Sequence, residues 1–267
     1  MEIMPASRAL LLIPLLLAGA SAARADSLGL DPSNFPDPNA LLDAVPLKTL
    51  IKTVGSVTAN RPYEPATPLA VSTATGLDIG VSLTAVKVPE SFGQALTTVG
   101  AKASAAPPLA PFPQLQFHKS LGPRADIGGF WVGYRGYTAY GGDLKGVIWM
   151  PEEGPTWALR LCYSHARIAF FSTNTFTPQL VVSRKLEFAD PYIGAGMDII
   201  KGSVTISTSS FGLPIDESLT GNANAVAGNA FLGVSLRVPE LGFRLTLEGS
   251  YSSLGAHTMG AKFSLSI

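Results

Sequence analysis

Over residues 76–267 apolar and polar positions alternate with a period of two in run after run. LDIGVSLTAVKV places Ile79, Val81 and Leu83 on one side, DIGGFWVGYRGY does so with Phe130, Val132 and Tyr134, and DLKGVIWM with Leu144, Ile148 and Met150. QLQFHKS, TWALRLCYSH, PQLVVSRKLEF, PYIGAGMDII, AFLGVSLRV and LGFRLTLEGSYSS repeat the pattern, and the chain closes on HTMGAKFSLSI. Successive side chains of a strand point to opposite faces, so each run predicts a strand with one apolar and one polar ribbon. There are about ten such runs, within a range of roughly 8–12, and each approaches the ~9–11 residues that cross a bilayer when tilted. In the closing run Phe263, Leu265 and Ile267 lie opposite Lys262, Ser264 and Ser266. A soluble sheet edge of this kind is normally blunted by charge, proline or a covering element. The expectation is therefore a strand that lies between two neighbours or closes a barrel.

The two ribbons differ in chemistry. In LGFRLTLEGSY, Leu241, Phe243, Leu245, Leu247 and Tyr251 alternate with Gly242, Arg244, Thr246, Glu248 and Ser250. A cation on the lipid face costs about 2–4 kcal/mol near the midplane, so Arg244, Glu248, Arg160 and Lys145 are expected to face a lumen. Connections are expected to alternate in length. PEEGP, ADP around Asp190 and PE are read as short turns; STNTFT, SFGLPIDESLTGNANAVA and the Pro/Ala-rich interval before Gln114 are read as long loops. Tyr137, Tyr140, Trp149, Trp157 and Tyr192 suit interfacial girdles.

Before residue 76 the chain changes character. SRALLLIPLLLAGASAARA combines Arg8, an apolar stretch and an A-x-A pattern, predicting a secretory signal peptide over residues 1–25 with cleavage between Ala25 and Asp26. Residues 26–75 show no sustained alternation. A short helix over residues 39–54, broken or kinked at Pro46, is expected there, with Leu41, Leu42, Val45, Leu50 and Ile51 on its apolar side. This segment reads as a periplasmic lead-in or as a plug inside the lumen.

Composition fits that frame. The 267 residues are 46% hydrophobic and only 14% charged. Lys+Arg and Asp+Glu balance at 19 each, which argues against nucleic acid as a partner. Mean hydropathy is +0.28, yet beyond the leader no apolar run approaches the ~20 residues of a membrane-spanning helix. Cys162 is the only cysteine, so no intramolecular disulfide forms, and its place opposite Trp157, Leu159, Leu161 and Tyr163 reads as inner-face packing.

Signal peptide, alternating strands and a final strand at the C-terminus together resemble a small bacterial outer-membrane β-barrel protein. The resemblance covers residues 76–267 and implies an all-β fold: a closed antiparallel transmembrane β-barrel with a short, partly helical N-terminal segment. It also implies a terminal insertion signal, which Thr258, Gly260, Phe263 and Leu265 match in spacing; Ile267 departs from the usual terminal aromatic. Outer-membrane lipid and, during insertion, the barrel-assembly machinery are the implied partners, and the cell outer membrane is the implied location.

Catalytic chemistry finds little support. His118 and Ser120 share a face of their strand with no acidic orienter near them in sequence, whereas adjacent Ser164 and His165 must face opposite sides. His257 stands alone. No phosphate-cradling glycine loop, HExxH or clustered metal-ligand pattern occurs, so no cofactor or metal is expected. The expected function is structural, or that of a narrow channel or transporter for small or apolar solutes, and not enzymatic. Two alternatives stand beside it: a soluble periplasmic lipocalin-like barrel holding an apolar ligand, because alternation does not by itself say which face is inside, and an outer-membrane lipid-modifying hydrolase.

Overall fold

The computed structural model describes residues 44–73, 75–98, 109–134, 137–168, 170–207, 218–238 and 242–266. The leader, the Ala25–Asp26 cleavage point, Leu41, Leu42 and Ile267 lie outside them. Among the described residues ten antiparallel strands close into one barrel. They are β1 Leu77–Lys87, β2 Leu109–Gly122, β3 Ala125–Tyr134, β4 Tyr137–Trp149 and β5 Thr156–Ile168, followed by β6 Phe171–Ser183, β7 Ala189–Ser207, β8 Ser218–Val238, β9 Phe243–Ser252 and β10 His257–Ser266. Each strand pairs with its neighbours in sequence. β10 returns to β1, with Ile79 opposite Leu265 and Val81 opposite Phe263, so the closing strand has no free edge.

The wall is apolar outside and polar inside. On β5, Trp157, Leu159, Leu161 and Tyr163 are exposed while Ala158, Arg160, Cys162 and Ser164 are buried; on β9, Leu245, Leu247 and Tyr251 are exposed while Arg244, Thr246 and Glu248 are buried. A soluble barrel requires the reverse arrangement, and the lipocalin-like alternative falls on this point. The rule is local in one respect. On β3, Phe130 and Val132 face inward and Trp131 faces out at 56% exposure, because the lumen is apolar at that level.

Several sequence expectations are corrected. Ser172–Thr177, read as a loop, lies within β6, and β5 and β6 are joined by residues 169–170. Asp190 sits in β7, and the turn before it spans residues 184–188. β8 begins at Ser218 and pairs with β7 as far as Ser207 opposite Ser218, so much of the predicted exposed loop is strand. Small polar residues on both faces of these runs hide the alternation. Tyr137 and Tyr192 point into the barrel and are buried, whereas Tyr140, Trp149 and Trp157 stand outside. Short connections are not confined to one end: two residues separate β3 from β4 and two separate β5 from β6, at the end opposite the one where β1 begins and β10 finishes.

Residues 44–73 occupy the lumen. α1, Ala44–Val57, begins only two residues before Pro46, which therefore lies in its first turn, where a missing N–H costs no intrahelical bond, so the helix does not break there. Leu47, Leu50, Ile51, Val54 and Val57 are buried against Phe112, Phe130, Val132, Ile168, Phe171, Ile200 and Val204 of the wall. Phe92 and Leu96 of a further helix in the β1–β2 connection join them. Gly202 makes room, since a Cβ there would strike Ile51. Beyond α1 the chain runs without regular structure to α2, Leu69–Ser72, and turns into β1. The lumen thus has an apolar half around α1 and a polar half towards the end where β1 begins and β10 finishes.

Candidate functional site

The polar half is organised around Glu64, a buried residue of the irregular segment. Its Oε1 lies 2.6 Å from Lys262 Nζ on β10 and its Oε2 accepts a hydrogen bond of 2.9 Å from Arg244 Nη1 on β9. The Glu64 carbonyl accepts from Arg160 Nη2 on β5. Three inward cations therefore converge on one residue of the plug. Inward parity on β1 adds Asp78, whose Oδ1 lies 2.6 Å from Lys262 Nζ and whose Oδ2 accepts from Ser264 at 2.7 Å and from Ser266. A charge buried without a partner is costly, and here each one has an opposite charge or hydrogen bonds.

Neighbouring contacts extend the network along the plug. Lys145 on β4 pairs with Asp126 on β3 at 2.9 Å and donates to the carbonyls of Pro65 and Thr67 at 2.8 and 3.1 Å. Asp126 in turn accepts from the Leu69 N–H at 3.1 Å. The Thr67 N–H donates to Ser183 Oγ at 3.0 Å, and Gln116 Nε2 donates to the Arg61 carbonyl at 2.9 Å. Nearer α1, Ser56 Oγ donates to Asp198 Oδ2 at 3.1 Å. Tyr63 has a left-handed backbone (φ 56°), its hydroxyl meets that of Thr84, and its ring lies over Gly260.

Lys145, Arg160, Arg244 and Glu248 all face inward and are buried. The first three reach the plug. Glu248 instead accepts a hydrogen bond of 2.7 Å from Tyr192 and borders a cavity of about 20 Å³ beside Arg61, Asp198 and Asn229. Of the terminal motif, Thr258 and Gly260 face the lumen, while Phe263 and Leu265 face outward, Phe263 stacking on Phe243 at 5.3 Å. Glu64, Asp78, Asp126, Asp143 and Lys262 escaped the sequence reading as site residues. Inward parity marks the four on strands, but Glu64 lies where no periodicity operates.

The histidines separate. His118 is buried with Nε2 3.3 Å from Asp143 Oδ1 and Nδ1 3.3 Å from Lys262 Nζ and 3.8 Å from Glu64 Oε1. Both ring nitrogens are thus turned away from Ser120, whose hydroxyl donates to the Gly122 carbonyl at 2.7 Å. Ser164 faces the lumen, and His165 faces outward, 3.0 Å from Asn174. Glu64, Asp78 and His118 bring ligand-type atoms within 4.8 Å of one another, as a metal site would. The Lys262 ammonium already stands among them and supplies the positive charge there.

No protein-family model and no curated protein sequence matches the chain. Solved structures give distant likenesses. The N-terminal β-barrel domain of Pseudomonas aeruginosa OprF is 12% identical, with 70% of this chain and 95% of that one covered and a TM-score of 0.31. Neisserial surface protein A is 11% identical over 72% and 98%, at 0.31. Outer membrane phospholipase A from Escherichia coli is 12% identical over 76% and 98%, at 0.32. The assignment rests on the wall itself: closed strands, a lipid-compatible exterior and a charged interior make this a transmembrane β-barrel of the outer-membrane type.

Proposed function

We propose that the protein is a narrow outer-membrane channel for small hydrophilic solutes, closed in this structure by its own residues 44–73. The observation that carries this reading is the chemistry of the lumen wall around the plug. Ser82, Thr84, Gln114, Gln116, Thr246 and Ser264 line it together with the paired charges. A lumen that only had to be filled gains nothing from this, since apolar packing in place of a buried ion network is often neutral or stabilising. Hydroxyls, amides and charges stay satisfied by water when the plug withdraws, and mixed charges select among solutes at a constriction.

Planar-bilayer recordings test the reading, comparing the mature protein with Glu64→Gln, which removes the charge holding Lys262 and Arg244 to the plug. The expected result is rare openings for the unmodified protein and a severalfold higher open probability for the variant. Silence from both, with heat-modifiable mobility on gels proving folded barrels, overturns the channel and leaves a membrane anchor.

A further inference from the structure

On β4 to β8 the carboxylates, Asp143, Asp190 and Asp198, are all buried on the lumen face. Lys145, Arg160 and Arg237 turn inward as well, where they meet Asp126, the Glu64 carbonyl and Asp190. Arg167 on β5 and Lys201 on β7 do not follow them. Both are exposed on the outer wall, and among the described residues neither has an ion-pair partner. The outside of these five strands therefore carries two cations and no anion.

Strand register places the two cations at a boundary. Tyr163, Phe176, Ile199 and Val226 are register neighbours and form the last apolar row. His165, Asn174, Lys201 and Asn224 form the next, and Arg167, Ser172, Ser203 and Asn222 the one beyond. Lys201 stands directly opposite Asn174, and Arg167 is the diagonal neighbour of Asn174 on its other side. Diagonal neighbours lie roughly 7–8 Å apart, so both long side chains reach the space over Asn174. The amide there is held in one orientation. Its Oδ1 accepts from the Tyr163 hydroxyl at 2.8 Å and lies 3.0 Å from His165 Nδ1, which must donate to it. Tyr140 packs on that imidazole at 5.2 Å. With its oxygen taken, Asn174 offers its N–H pair between the two cations.

We propose that Arg167, Asn174 and Lys201 bind the phosphate of an anionic lipid in the adjoining leaflet. A guanidinium and an ammonium recognise phosphate oxygens by charge-assisted hydrogen bonds, and the fixed amide adds neutral donors between them. The apolar row directly below, with Tyr163 and Phe176 in it, receives the acyl chains, so the ligand is an amphiphile and the phosphate sits at the headgroup level. A choline headgroup fits poorly, since its quaternary ammonium brings a like charge to the two cations. Every residue of the site belongs to the outer wall, so the site stands whether or not residues 44–73 move.

The test is native mass spectrometry of the mature protein released from phosphatidylcholine nanodiscs that contain a minority of lipid A, beside nanodiscs holding the same lipid stripped of its phosphates. Retention of lipid A at least about fivefold above its proportion is expected from two cations at a membrane surface. The dephosphorylated lipid should be retained only in proportion. The Arg167→Gln, Lys201→Gln double variant should bring lipid A down to proportion too. Asn174→Asp keeps an oxygen for Tyr163 and His165 but sets a carboxylate between the cations, and should have the same effect. All three positions are exposed, so heat-modifiable mobility should be unchanged in both variants. Proportional retention by the unmodified protein, equal retention of the dephosphorylated lipid, or enrichment unchanged in a folded variant overturns the proposal. Loss of bound lipid to millimolar inorganic phosphate also overturns it, since that marks a soluble-anion site.

Discussion

Lys262 Nζ, on the strand that closes the barrel, lies 2.6 Å from Oε1 of Glu64 in the segment that fills it. The same ammonium lies 2.6 Å from Asp78 on the first strand. Closure and plugging therefore share one buried cation. Without residue 64 in place, Lys262 and Arg244 face each other's field with Asp78 alone to compensate, so the electrostatics of the closed wall include the plug.

Glu64→Gln accordingly leaves a buried cation short of a partner, a change that typically costs about 3–5 kcal/mol. Urea titration, followed by the unheated mobility of the folded band, should show the midpoint fall. Adding Lys262→Met removes the stranded charge and should return part of the loss, with a coupling above about 1 kcal/mol between the two sites. Strict additivity would mean that the 2.6 Å contact carries no energy.

Gly260 and Tyr63 give a steric counterpart. A Cβ on residue 260 would run into the Tyr63 ring, and the plug must shift to admit it. Gly260→Ala should lower the same urea midpoint, and Tyr63→Ala in the Gly260→Ala background should restore much of it. An inward alanine on a barrel strand is otherwise benign, so an equal loss in both backgrounds would place the cost in strand insertion, where the terminal-motif reading of Gly260 puts it.

Parity made the barrel legible. Once Leu245 and Leu247 are placed on one ribbon of β9, Arg244 and Glu248 must fall on the other, and the same step places Arg160 and Lys145. Three kinds of information were not available that way. Ser172–Thr177 and the start of β8 carry small polar residues on both faces, so they resemble loops in sequence although they pair as strands. The inward position of Phe130 follows from the helix beneath it, which no local pattern on β3 reports. Partners across the lumen are set by tertiary placement. Arg244 and Glu248 share the inward ribbon of β9, yet Arg244 pairs with Glu64 and Glu248 with Tyr192.

The outward ribbon yields a prediction of its own. Leu161 is exposed in the middle of the apolar run of β5. Leu161→Arg should cost about 2–4 kcal/mol of barrel stability in a bilayer, the figure for a cation near the midplane. In detergent micelles, where the chain is not held at a fixed depth, the penalty should shrink. A soluble barrel would tolerate the arginine in both media, so refolding yields into vesicles of defined thickness separate the two cases.

Cys162 offers an internal reporter on the plug. It is buried on the lumen face of β5, next to Arg160, with its thiol directed at Gln179 Oε1 at 3.8 Å. No other cysteine competes, so a small water-soluble thiol reagent reads a single site. In the folded protein modification should be slow, because the reagent must wait for the residues around Glu64 to leave. If the plug moves as a unit, Glu64→Gln should raise the rate by about tenfold or more while the barrel stays folded, since each ~1.4 kcal/mol taken from a local opening free energy multiplies the open population by ten. A variant that loses stability yet protects Cys162 as well as the unmodified protein does would show that residues 44–73 leave the lumen only when the barrel itself unfolds, and the gate would then have no moving part.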